Sequence, residues 1–133
     1  MILLLDDDTE RLKAFEHALR SAGFSGEIRT WNSSHAFIRD WPTYLEQAEL
    51  ISLDHDLFLD ALEGEDLGDG YAAAQALATY APQCPVIIHT SNAERGRWMQ
   101  GALESSGWAC HRVLPLGDDW IKLDWLTVVN ELI

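Results

Sequence analysis

Apolar runs and mixed segments take turns along this chain. Residues 2–5 (I-L-L-L), 50–53 (L-I-S-L) and 86–88 (V-I-I) are almost wholly apolar, as strands buried on both faces of a sheet must be. Residues 27–31 and 108–114 are also strand-like but carry polar side chains, among them Arg29, His111 and Arg112, which suits edge strands. Between the strands lie helical patterns. Over residues 9–22, Leu12, Phe15 and Leu19 share a face that Ala18 and Ala22 widen; Asp8 or Thr9 caps its start and Gly23 ends it. Residues 33–47 form a second helical region, broken or kinked near Trp41 by Pro42. Residues 70–81 read as an alanine-rich helix that lies close to the sheet and stops at Pro82. Residues 92–106 read as a helix capped by Asn92 and stopped by Gly107. The last helix, 118–133, carries Ile121, Trp125, Val128 and Leu132 along one face.

The resulting order, βαβαβαβαβα, predicts a parallel sheet with helices on both faces. The three apolar strands belong in the centre, so the expected strand order is 2-1-3-4-5, the doubly wound, flavodoxin-like α/β arrangement. One domain accounts for residues 1–133. In that order the central strands deliver three polar clusters to one sheet edge: Asp6-Asp7-Asp8, Asp54-His55-Asp56 and His89-Thr90-Ser91-Asn92. The carboxyl edge of such a sheet is where ligands bind.

Crowded carboxylates repel and must protonate or take up a cation. Oxygen donors without cysteine favour Mg²⁺, Mn²⁺ or Ca²⁺ over zinc, and neighbouring histidines keep Mn²⁺ among the candidates. His55 and His89 titrate near neutral pH, so we expect them to act as a paired general acid and base on a phosphate ester. Thr90, Ser91 and Asn92 are the expected substrate-binding residues, with Asn92 at a helix start suited to orient an oxyanion. Structural roles compete with several of these. Asp8 and Asn92 are each explained as helix caps, and a lone strand-end histidine is more often structural.

The formal charge of −13 argues against general binding to DNA or to an anionic membrane. It leaves room for a small phosphate-bearing molecule or an RNA end at a metal site. No apolar run reaches the length of a membrane span. Cys84 and Cys110 lack metal spacing and read as reduced core thiols in a cytoplasmic protein. Residues 58–69 hold Asp60, Glu63, Glu65, Asp66 and Asp69 with Gly64 and Gly68, a solvated loop beside the expected site with the position of a lid. A calcium-loop ligand spacing is absent there. Trp98, Trp108, Trp120 and Trp125 fall in the last third; they read as core, and an exposed subset would mark a protein-partner surface on the C-terminal half.

Over nearly its whole length the chain resembles the receiver domain of response regulators. The matching stretches are I-L-L-L-D-D-D at the start, Asp54 after the third strand, Asp69-Gly70 opening the third helix, and P-V-I-I-H-T-S-N at the fourth strand. The resemblance implies that Asp6 and Asp7 hold Mg²⁺, that Asp54 is the phosphoacceptor position and ligand, and that Thr90 is the hydroxyl sensing a phosphoryl group. Asp56 joins these as a further metal candidate. The chain departs from receivers in V-L-P-L, where Leu114 replaces the lysine before Pro115, and in carrying His55 and His89. With its D-H-D and H-x-S-N motifs it is similar to a divergent receiver-like branch proposed to process cyclic phosphates.

Three functions follow as expectations. The favoured one is a metal-assisted phosphoesterase, using Asp54, His55 and His89 on a cyclic or terminal phosphate. The second is a stand-alone receiver phosphorylated on Asp54, and the third a degenerate receiver serving only as an interaction module.

Overall fold

β1 (Ile2–Leu5), β3 (Leu50–Leu53) and β4 (Val86–Ile88) are buried at every residue, whereas β2 (Ile28–Trp31) and β5 (Cys110–Arg112) are partly open to solvent. The computed structural model describes residues 1–57 and 68–133. All strand pairs are parallel and the order is β2-β1-β3-β4-β5, as the hydropathy contrast predicts. Alternate strand residues feed two layers. Leu3, Leu5, Ile51, Leu53 and Ile88 pack with Phe37, Trp41, Leu77, Met99 and Trp108 on one face. Ile2, Leu4, Leu50 and Ile87 pack with Phe15, Leu19, Trp120, Trp125 and Val129 on the other.

α1 (Thr9–Ser21) is capped by the Asp8 carboxylate, which accepts the Glu10 and Arg11 N–H groups at 3.0 and 3.1 Å. α2 (Ser34–Asp40) gives way at Trp41 to a 3₁₀ helix (Trp41–Gln47) with proline at its start, the break expected of Pro42. α3 (Gly70–Ala78) ends short of residue 81. The Thr79 hydroxyl donates to the Ala76 carbonyl at 2.7 Å, and Ala81 precedes a proline, which disfavours helical backbone. α4 (Ala93–Ser105) starts at its Asn92 cap. β5 is shorter than residues 108–114 because it pairs only with β4, while Trp108 turns into the core and its indole N–H donates to the Tyr80 carbonyl at 3.2 Å.

The last helix opens with a π-helical turn (Ile121–Trp125), in which the Trp125 N–H reaches back five residues to the Trp120 carbonyl at 2.8 Å. α5 (Leu126–Leu132) follows. Ile121, Trp125 and Val129 are buried, and the expected Val128 and Leu132 pack partly buried against the same cluster. Of the four late tryptophans, Trp98 alone is exposed, at 43%. Cys84 and Cys110 are free thiols, and burial pushes both up to about 12. Among the described residues no helix is long and apolar enough to cross a membrane. Asp60, Glu63, Gly64, Glu65 and Asp66 of the expected loop lie outside the described residues.

Gly70 lets α3 touch the end of β3. A Cβ there would stand 2.0 Å from the Asp54 carbonyl oxygen and 2.7 Å from His55 Cα. Both opposing atoms are backbone and cannot swing aside. Gly70→Ala is therefore expected to lower stability by about 3 kcal/mol, measurable as an earlier denaturant midpoint.

Candidate functional site

Register builds the site. Leu5 pairs with Leu53 and Leu53 with Ile88, so Asp6, Asp54 and His89 emerge level on three adjacent strands. The ladder continues one step beyond: Asp54 N–H donates to the Leu5 carbonyl and His89 N–H to the Leu53 carbonyl, each at 2.9 Å. Asp6 is fully buried, and its Oδ1 accepts the Asp8 N–H at 2.8 Å. Asp54 Oδ1 accepts the His55 N–H at 2.8 Å.

One carboxylate oxygen each of Asp6, Asp7 and Asp54 lies within 4.8 Å of the others. Burial, and next the charge of Asp6, push the Asp54 carboxyl from the usual 3.8 up to about 8, against the opposing pull of Arg11. The trio thus holds a proton at neutral pH unless a stronger cation arrives. Three convergent oxygen donors fit Mg²⁺ or Mn²⁺. The Asp56 carboxylate stands apart from this trio: its Oδ1 is bound by His55 Nδ1 at 2.7 Å and by Asn92 Nδ2 at 3.4 Å.

His89 is fully buried, with Phe15 and Trp120 against its ring. Its Nε2 meets Asp6 Oδ2 at 3.0 Å and its Nδ1 meets Ser52 Oγ at 2.7 Å. Ser52 Oγ also accepts the indole N–H of Trp125 at 3.0 Å. Burial lowers the His89 pKa, so the ring is neutral at pH 7. A neutral ring beside a carboxylate donates from Nε2, which leaves Nδ1 to accept the Ser52 hydroxyl proton. The chain Trp125–Ser52–His89–Asp6 is then satisfied at every link and fixes the Asp6 carboxylate.

This differs from the expected pairing of His89 with His55 across one phosphorus. His89 is fully buried, and Asp6 and Ser52 engage both of its ring nitrogens. Its place is beneath Asp6. His89→Ala leaves Ser52 and Asp6 short of a partner in the core and should cost about 3 kcal/mol in chemical denaturation.

His55 lies differently. Asp56 engages its Nδ1, while Nε2 has no hydrogen-bond partner among the described residues and lies 4.0 Å from Asp69 Oδ2. Thr90 is buried and its Oγ1 accepts the Asn92 N–H at 3.1 Å. Asn92 also caps α4 through the Arg95 N–H at 3.0 Å, so the capping role and the contact to Asp56 coexist. Ser91 is exposed in the turn between β4 and α4. Leu114, just after β5, is 46% exposed.

Sequence reading passed over three contributors. Arg11 Nη2 stands 3.3 Å from Asp6 Oδ1, 3.4 Å from Asp54 Oδ2 and 3.9 Å from Asp7 Oδ1. Its i,i+4 spacing from Asp7 was the available signal. Ser52 was legible as the one polar residue in β3. Trp125, distant in sequence, gave no sign of its polar role.

A parallel sheet in this order, with an acidic trio at its carboxyl edge, defines a response-regulator-type receiver domain, a class that binds Mg²⁺ at such a pocket. Residues 1–105 match the family of the cyclic-phosphate processing receiver domain, and the chain belongs to that family. Solved receivers share the fold. The isolated receiver domain of RcsB from Salmonella enterica serovar Typhimurium aligns at TM-score 0.67 and 18% identity, over 98% of this chain and 87% of that one. A CheY-like receiver from Methanospirillum hungatei gives 0.66 and 18%, over 98% and 90%. Vibrio cholerae CheY4 gives 0.68 and 13%, over 99% and 97%. No curated protein matches.

Proposed function

We propose that this domain is a metal-assisted phosphoesterase acting on a cyclic or terminal phosphate, carried by a small molecule or an RNA end. The observation that carries the reading is His55: an imidazole locked at Nδ1 by Asp56, with no hydrogen-bond partner for Nε2 among the described residues, on the same turn as Asp54. Membership of a family named for cyclic-phosphate processing supports it.

Asp6, Asp7 and Asp54 are the residues that would hold Mg²⁺ or Mn²⁺. A bound divalent ion offsets phosphate charge and polarises the P–O bonds. Asp56 keeps the His55 proton on Nδ1, so Nε2 is the basic atom. In opening a cyclic diester, Nε2 takes a proton from the attacking water as its oxygen bonds to phosphorus. The ring P–O bond breaks, and the same proton passes to the leaving oxygen. Water is consumed and a monoester with a free hydroxyl results. His89 positions Asp6 and transfers no proton. Thr90, Ser91 and Asn92 line the same edge as candidate contacts for the phosphate, and the net charge of −13 favours a short phosphate over a long polyanion.

The phosphoaccepting reading keeps Asp54 and the buried Thr90, but Leu114 offers no cation to a phosphoryl group. A screen of nucleoside cyclic phosphates and terminal phosphates with Mg²⁺ or Mn²⁺ tests the proposal. Metal-dependent release of monoester or phosphate is expected, and no turnover of any substrate would overturn it.

A further inference from the structure

Two arginines other than Arg11 make two-point hydrogen bonds. Arg20 donates to the Phe24 and Gly26 carbonyls at 2.9 and 2.7 Å, and Arg39 donates twice to Asp40 at 2.7 and 3.2 Å. Arg11 is different. Its guanidinium faces four carboxylates, Asp6, Asp7, Asp8 and Asp54, at 3.3 to 3.9 Å. A single long hydrogen bond, 3.4 Å to Asp54, is the only one its side chain makes among the described residues, and its buried Nε has no hydrogen-bond partner. Nη2 is shared among one oxygen of each member of the trio. That is the pattern of a charge attracted to a site rather than a side chain fitted to one partner. The side chain is 30% exposed, so it has a path out along α1.

We propose that Arg11 is a tethered counter-ion which a divalent cation must displace from the Asp6–Asp7–Asp54 cluster, so that Arg11 sets how tightly the domain takes its metal. This rests on the trio being the cation site. A guanidinium cannot approach oxygens as closely as a metal ion, and it cannot share the centre of the trio with one. Entry of the ion therefore moves Arg11 to the rim. Among the described residues no other lysine or arginine contacts the trio, so nothing else there competes in this way.

Calorimetric titration of Mn²⁺ into wild type, Arg11→Met, Arg11→Lys and Lys13→Met tests this. Lys13 lies on the same helix but is 71% exposed and pairs with Glu10, so its loss changes net charge equally without touching the cluster. Arg11→Met is expected to tighten Mn²⁺ binding about tenfold, with Arg11→Lys intermediate and Lys13→Met within about twofold of wild type. Melting without metal shows whether Arg11→Met remains folded, and Arg11→Lys supplies a second reading in a milder variant. Equal or weaker Mn²⁺ binding by Arg11→Met and Arg11→Lys overturns the proposal, as does equal tightening by Lys13→Met or absence of Mn²⁺ binding in every variant. Hydrolysis is a separate readout. Tighter binding by Arg11→Met in a domain that turns over no phosphate ester would sink the phosphoesterase and leave the counter-ion standing.

Discussion

Asp54→Asn is expected to raise the melting temperature of the metal-free domain at alkaline pH and to remove much of its pH dependence. The Asp54 carboxyl titrates at about 8 in the folded chain, against 3.8 for an ordinary aspartate. Between those values the folded state binds the extra proton, so stability falls as pH rises. The contribution is whole below 3.8 and is lost as pH passes about 8. Deprotonated Asp54 then faces Asp6 in a buried setting. A neutral amide removes that conflict and still accepts the His55 N–H. We expect wild type without metal to melt progressively lower from about pH 5 to about pH 8, and the Asn variant to exceed it by about 3 °C or more at the upper end. Saturating Mn²⁺ should raise wild type and leave Asp54→Asn nearly unmoved. A wild-type melting temperature that climbs across this window would contradict the ionisation assigned to the trio.

His55→Ala is expected to lower kcat by about 10²–10⁴-fold, the range of a lost proton-transfer group. Its Mn²⁺ affinity should stay close to wild type, because His55 touches Asp56 and Asp69 and none of the trio through its ring. Asp56→Asn should fall between the two, since an amide can orient the ring but no longer stabilises the imidazolium formed when Nε2 takes the proton. Parallel loss of metal binding in His55→Ala would assign His55 a structural role instead.

The fold was legible because burial leaves a plain mark on composition. β1, β3 and β4 could only be central, and the strand order and the meeting of Asp6 with Asp54 followed from that. Depth at the sheet edge was not legible. Asp54 and His89 each follow a central strand and make the same further ladder bond, yet the Ser52 hydroxyl and the Asp6 carboxylate hold the His89 ring inside. Nothing local to residues 86–92 distinguishes a histidine above the edge from one beneath it. The π-helical turn at Ile121–Trp125 likewise has no signature in apolar spacing. Arg11 was hidden by its surroundings: a basic residue one turn after three acids reads as an ordinary helix ion pair, until β3 brings Asp54 to it from across the sheet.

The most direct test of the account is an intact-mass measurement on the domain with Mn²⁺, once during incubation with a nucleoside cyclic phosphate and once with acetyl phosphate. The account predicts that monoester accumulates in the first reaction while the protein mass stays unmodified in both. A stable gain of one phosphoryl group at Asp54, with the cyclic phosphate untouched, would contradict it and identify the domain as a phosphoaccepting receiver.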